Sequence, residues 1–326
     1  MKTITFLNNR SRVGKTTMVY NIAWMLSQMS INTLVVDLDP QCNLTALFLD
    51  QKKQAALFDN QYFNKSIGNA LSSLAPDLNE LDIHIENIND YLNLIPGDIN
   101  LAALEDSFNI AWQNCLNGEQ KAFQYTSKIN NIIKNVGKKY SAQAILIDSG
   151  SNLSSLNRTI AIASEYIITP ITTEKLSLEG IKNLGIILNN WKLQWQQRLQ
   201  LIPSENKLNI PYIIPKILGY ILMHFNAKES SRFNPNNRWD ILIPKLYNKY
   251  ILEQANNQPI TIQNDPNCID ILKYYKSLEL MAKEVQKPFF LLKPSDGAIG
   301  SHVYAVQQSF ADYHKLTQAI LNKVEL

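Results

Sequence analysis

At 326 residues and 45% apolar content, the chain is long enough for one large α/β domain or two small ones, with ample material for a core. Its apolar runs are strand-length, which excludes a membrane-spanning helix, and Cys42, Cys115 and Cys268 are too widely spaced for a disulfide framework or a zinc knuckle. The net charge of +3 excludes nothing alone, but it is unevenly spread. Residues 76–106 hold eight acids and no Lys or Arg. Residues 181–250 hold ten Lys or Arg against three acids, interleaved with Trp191, Trp195, Tyr212, Phe225 and Trp239, which points to an anionic partner there. Residues 1–20 carry arginines and no small-residue cleavage site, so a cytoplasmic location is expected.

The chain opens on a buried strand, Ile4 to Leu7, then a tight loop from Asn8 to Gly14, then an amphipathic helix from Lys15 to about Gln28. Val19, Ile22, Ala23 and Leu26 recur at helical spacing and predict one core-facing stripe. Gly14-Lys15-Thr16-Thr17 falls where strand, loop and helix N-terminus meet. A phosphate-binding loop needs that placement: backbone N–H groups at a positive helix end, a lysine for the β/γ-phosphates and a hydroxyl for Mg²⁺. The spacing G-x-x-x-x-G-K-[ST] wants glycine at position 9, where this chain has Asn9. The bland alternative is a Gly-Lys-Thr triplet that merely starts a helix.

A second stretch, Leu34 to Thr45, is an apolar strand ending in Asp37 and Asp39, followed at once by Pro40-Gln41-Cys42-Asn43. The two stretches together resemble the ParA/MinD family of deviant P-loop ATPases, whose loop reads K-G-G-x-G-K-[ST] and whose second strand ends D-x-D-P-Q-x-N-x-T. That family's loop does not use the first glycine. Arg10 stands where the family has its signature lysine, and Ser11-Arg12 stand where it has Gly-Gly.

Further along, residues 51–90 read as a helical insertion with a turn at Ala75-Pro76-Asp77. Tyr91 to Gly97 reads as a short strand, followed by a helix from Asn100 to about Phe108. Residues 110–139 read as helical, with Phe123, Ile129, Ile132, Ile133 and Val136 inward, closing at Gly137. Ala144-Ile-Leu-Ile-Asp148 reads as a Walker B strand, its carboxylate placed to hold magnesium's water shell; a buried strand-end Asp capping the next turn is the structural alternative. Ser149-Gly150 replaces the proline pair that the family has next. A helix over Ser154–Ile162 and a strand over Tyr166–Pro170 follow, and Thr172 to Asn183 resembles the family's segment ending L-E-G through Glu174, Leu178, Glu179 and Gly180. A helix from Leu178 to about Leu199, a strand Ile217–Met223, a basic Asn-rich region over 226–290 and a last helix from His302 to about Leu321 complete the reading.

The expected fold is α/β, a doubly wound, mostly parallel sheet flanked by helices, as one P-loop ATPase domain over 1–326 with elaborations at 50–90 and 226–290. The resemblance implies that Lys15 grips the β/γ-phosphates, that Thr16 ligates Mg²⁺ and that Asp148 orients it. It implies also that Asp39 positions the attacking water and that Ser11, Arg12, Val13, Gly14 and Thr17 cradle ATP. Arg10 stands where the family's lysine reaches across an ATP-sandwiched dimer; arginine is a longer, bidentate phosphate clamp that could serve in its place, and a solvated loop arginine is the alternative. The partners implied are a second copy, non-specific DNA and a small adaptor protein, with no membrane. The rivals are a degenerate nucleotide-binding scaffold and a kinase- or amidoligase-type enzyme, for which no second-substrate pocket is readable.

Overall fold

The computed structural model describes residues 1–58, 64–73, 83–202, 210–212, 214–223, 239–254 and 259–326. Eight strands form one sheet in the order β3-β4-β2-β5-β1-β6-β7-β8. They are β1 (Lys2–Phe6), β2 (Thr33–Leu38), β3 (Glu86–Asn89), β4 (Leu92–Ile95), β5 (Ala144–Ser149), β6 (Tyr166–Thr172), β7 (Lys216–Met223) and β8 (Cys268–Leu272). Every pairing is parallel except β3 with β4. A parallel sheet must be covered on both faces, and β2 and β5 are accordingly buried along their whole length.

Alternate residues serve opposite cores. Ile4, Phe6, Val35, Leu94, Leu146 and Ile168 face a layer built from helix α1 (Lys15–Gln28) and the last helix, Ser301–Val324. Leu34, Val36, Ile95, Ile145 and Ile147 face the other layer, formed by Glu105–Asn114, Lys128–Lys139 and Ser155–Ile162. The expected stripe on α1 is buried, and Met18 and Met25 are buried too, because the last helix closes over what would otherwise be a solvent face.

Several boundaries differ from expectation. Residues 51–90 are not wholly helical: helices Gln51–Phe58 and Ile67–Ser72 are followed by the antiparallel edge strand β3. The turn expected at Ala75-Pro76-Asp77 lies outside the described residues. The 226–290 region contributes the sheet's second edge strand, since β8 pairs with β7 and leads into helix Lys276–Val285. The 110–139 stretch breaks into Glu105–Asn114, Gln120–Thr126 and Lys128–Lys139, with Gly118 in the left-handed region at the first break. The long helix starts at Lys175, one turn earlier than expected.

β5 inserts between β1 and β2, so Phe6 and Asp37 both lie in register with Asp148. The loops leaving the carboxyl ends of these three strands therefore share one crevice, the place where an open α/β sheet binds ligands.

Candidate functional site

The crevice encloses about 1060 Å³ and is lined by residues 10–17 of the first loop, by Asp39 to Gln41 and by Gly150 to Asn152. Lys273, Tyr274 and Tyr275 from the segment after β8 wall its far end. The loop's start is anchored from below. Leu7 N–H donates to the Ile168 carbonyl at 3.0 Å, the Asn8 amide donates to the Pro170 carbonyl, and Arg10 N–H donates to Asn8 Oδ1 at 2.8 Å. Asn9 Nδ2 donates to the Gly180 carbonyl at 3.3 Å, which ties the loop to the long helix. A Cβ on Gly180 would lie 3.2 Å from Arg10 Cδ, so the arginine's aliphatic stem rests on that glycine.

Gly14 is the N-cap of α1 at φ 83°, a left-handed conformation natural to glycine. No side chain caps the helix and its first turn carries no acid, so its free N–H groups and positive end are left for an anion. Arg12 also sits in the left-handed region, at φ 63°. The backbone thus keeps a glycine-type conformation where this chain has a side chain.

Behind the loop, Lys15 is 4% exposed, and its ammonium donates to Asp148 Oδ1 at 2.5 Å and to the Ser149 carbonyl. Thr16 Oγ1 donates to the other carboxylate oxygen at 2.7 Å. Asp148 is fully buried, so this cation and hydroxyl offset the cost of taking its charge out of water. A threonine hydroxyl and a carboxylate are hard oxygen donors of the kind Mg²⁺ takes, and the uncapped helix end beside a lysine suits a polyphosphate. The residues present therefore fit a magnesium-bound nucleoside triphosphate.

Asp39 opens onto the same crevice, its Oδ1 accepting from Gln41 N–H at 3.0 Å. Burial raises its pKa above the usual carboxylate range, with Asp148 adding to the rise and the Gln41 amide and Lys15 opposing it. The structure thus brings Arg10, Ser11, Arg12, Val13, Gly14, Lys15, Thr16, Thr17 and Asp39 around one crevice, with Asp148 bonded at its floor.

Sequence reading gave no role to Asp37. Its Oδ2 accepts from the Thr45 N–H at 2.9 Å and hydroxyl at 2.7 Å, and its Oδ1 accepts from Asp39 N–H at 3.2 Å. Thr45 Oγ1 in turn accepts from Gly97 N–H at 2.7 Å. A Cβ on Gly97 would come within 2.9 Å of the Asp37 carboxyl, so only glycine lets the loop after β4 close on it. Asp37 and Thr45 open and close the D-x-D-P-Q-x-N-x-T pattern, whereas nothing in the sequence marks Gly97 as their neighbour.

The basic stretch is not what its composition suggested. Trp195 is fully buried, Trp191 nearly so, and Arg198 is 3% exposed with its guanidinium 4.3 Å from the Trp112 ring centroid. These are core residues, unable to meet a nucleic acid. Lys192, Lys216, Lys245 and Lys249 remain exposed, while Phe225, Lys228, Arg232 and Arg238 lie outside the described residues.

Sheet order, uncapped helix and Lys15–Asp148 pair together define a P-loop nucleoside-triphosphatase fold. The AAA domain family matches residues 1–201, and the chain belongs to that family, among its ParA-like P-loop ATPases. It is 30% identical over 270 residues to uncharacterized protein MJECL24 of Methanocaldococcus jannaschii, covering 76% of this chain and 96% of that one. It is 24% identical to the ParA family protein MG470 of Mycoplasma genitalium, covering 64% of this chain and 71% of that one. Among solved structures, DIP2308 of Corynebacterium diphtheriae superposes with a TM-score of 0.71 at 18% identity, over 99% of both chains. The pNOB8 ParA bound to nonspecific DNA does so with a TM-score of 0.60 at 19% identity, over 99% of this chain and 98% of that one.

Proposed function

We propose that the chain is a Mg-ATP-dependent switch of the DNA-partition or cargo-positioning kind, which closes into a homodimer on ATP, binds DNA without sequence preference and hydrolyses ATP slowly. The observation that carries this reading is the convergence of Lys15 and Thr16 on Asp148 at the uncapped N-terminus of α1. Lys15 and the amides of residues 11–17 would take the phosphates. Thr16 and Asp148 would hold the magnesium, whose chemistry there is neutralisation of phosphate charge. Asp39 would hold the attacking water at the crevice wall. Arg10 would reach the phosphates of a second copy, and a small adaptor protein would stimulate turnover.

DNA binding is supported by the exposed lysines beyond the long helix and by the fold shared with a ParA that was solved on nonspecific DNA. A second reading, a nucleotide-binding scaffold with little turnover, is favoured by one observation. Ser11 and Arg12 put exposed side chains on the loop's outer surface, where a second copy would have to close.

Calorimetric titration tests the reading. Lys15→Ala should abolish Mg-ATP binding, and Thr16→Ala, which leaves the Lys15–Asp148 pair in place, should remove the magnesium-dependent part of the affinity. Native affinity in both variants would overturn it.

A further inference from the structure

The loop leaving β5 runs through Gly150, Ser151 and Asn152, all of which line the crevice. It contains no proline to stiffen it, and it carries a glycine immediately after the strand. Its shape is set instead from below, by Asn157 in the first turn of the helix Ser155–Ile162. The Asn157 amide donates to the Gly150 carbonyl at 2.9 Å, to the Asn152 carbonyl at 2.8 Å and to Asn152 Oδ1 at 2.6 Å. The side chain is 1% exposed, so these bonds form out of reach of water, and its Oδ1 has no partner. The base of the clasp is itself fixed, because Glu105 Oε2 accepts from the Ser155 hydroxyl at 2.5 Å and from Leu156 N–H at 3.0 Å.

The loop's cationic anchor is Lys15, which donates to the Ser149 carbonyl, while the Ser149 hydroxyl donates to the Phe6 carbonyl at 2.9 Å and at longer range, 3.4 Å, to the Gly150 carbonyl. A phosphate that recruits Lys15 removes that anchor at the moment the loop has to hold its place beside the phosphates. We infer that Asn157 is a positioning residue: its amide keeps the Gly150–Asn152 loop against the crevice once Lys15 is engaged elsewhere. The inference rests on the nucleotide reading for its consequence in turnover. The clasp itself does not depend on that reading.

Two variants with the native number of side-chain heavy atoms test it. Asn157→Asp keeps the shape but replaces the amide donor by a group that sets a carboxylate against two carbonyls when ionised and offers a single O–H when protonated, and Asn157→Leu removes the bonds altogether. In nucleotide-free protein, amide exchange at residues 150–153 should become roughly ten- to a hundredfold faster in both, as expected for the loss of one or two net hydrogen bonds. Exchange in the β1 and β5 strands should stay as in the native protein. With Mg-ATP, kcat should fall by roughly tenfold or more while KM changes little, because a displaced loop misplaces the reacting groups without releasing the phosphates. Asn152→Ala, a change at an exposed residue, should give a weaker effect in the same direction. Native exchange at 150–153 in both variants would overturn the clasp. So would acceleration spread evenly over the chain, which marks a general loss of stability. Faster loop exchange with native kcat would overturn the positioning role. Absence of ATP binding by the native protein would instead overturn the nucleotide reading and leave the exchange result standing.

Discussion

Asp37 and Asp148 lie side by side in register on β2 and β5, both fully buried, and only Asp148 is met by a lysine. Asp37 is met by the Thr45 hydroxyl and by the N–H groups of Thr45 and Asp39, all neutral donors. Burial, and then the neighbouring Asp148 charge, push its carboxyl up to about 7.

That shift has a sign in stability. An exposed carboxyl titrates near 3.8, so between about 4 and 7 the folded chain holds a proton that the unfolded chain has released. The stabilisation it gives below that window is lost as pH rises through it, with a ceiling on the order of 4 kcal/mol. Asp37→Asn keeps an acceptor for Thr45 and carries no charge, so it should remove this part of the slope. Melting temperatures of the two proteins should diverge in the variant's favour from pH 5 to pH 8. Parallel curves would show that Asp37 is ionised throughout.

Arg12 and Ser11 make a contrasting pair. Arg12 is held at φ 63°, a conformation that costs a residue with a Cβ about 1 kcal/mol or more, whereas Ser11 is not in that region. Arg12→Gly should therefore be neutral to stabilising, by up to about 1 kcal/mol. Ser11→Gly should destabilise by about 0.5–1 kcal/mol, because it only loosens the unfolded chain. Denaturant midpoints of the two variants distinguish them. A loss of the same size in both would mean that the left-handed backbone at residue 12 carries no strain.

The sequence was most legible where chemistry and local structure coincide. Gly14 to Thr17 and Leu34 to Asp39 announce their elements, because a buried strand followed by turn or cap residues has few other uses. The antiparallel edge β3 was invisible because Glu86-Asn-Ile-Asn89 is a short, mostly polar and half-buried strand, with Ile88 its one apolar residue. β8 was hidden for a different reason: five residues, interrupted by Asp270, follow a long Asn-rich stretch. Trp191, Trp195 and Arg198 misled because composition records a residue's presence and not the face of the helix it occupies. Asn157 left no trace, since an asparagine early in a helix is common and its three acceptors lie five and seven residues back on a loop.

The corrected basic surface sharpens the expectation for DNA. Lys245→Glu with Lys249→Glu should weaken binding to unrelated duplexes alike, and each lost phosphate contact should lower the log–log salt slope by roughly 0.9. Arg198→Ala should leave that slope unchanged and lower stability instead, because its guanidinium donates to the Trp112 carbonyl at 2.8 Å and stacks on that ring. A slope that shifts with Arg198 and not with the two lysines would reverse the assignment of that surface.

Arg10 leaves the loop beside Gly180, and its exposed neighbours Ser11 and Arg12 form the outer surface that a second copy would meet. A side chain that serves the other copy's phosphates contributes only when two crevices close on each other. Arg10→Ala should then leave nucleotide affinity as it is and reduce ATP-dependent dimerisation, read by sedimentation. On the switch reading, Ser11 and Arg12 would set bulk where the two copies close, so turnover in the native chain should be slow, toward or below the low end of the roughly 1 to 10³ per second usual for enzymes. Replacing all three, Arg10→Lys with Ser11→Gly and Arg12→Gly, should raise ATPase rate and dimer population together. If the replaced loop matches the native one in both assays, the three side chains are neutral to closure. If the native chain stays monomeric with Mg-ATP at every concentration, the scaffold reading replaces the switch.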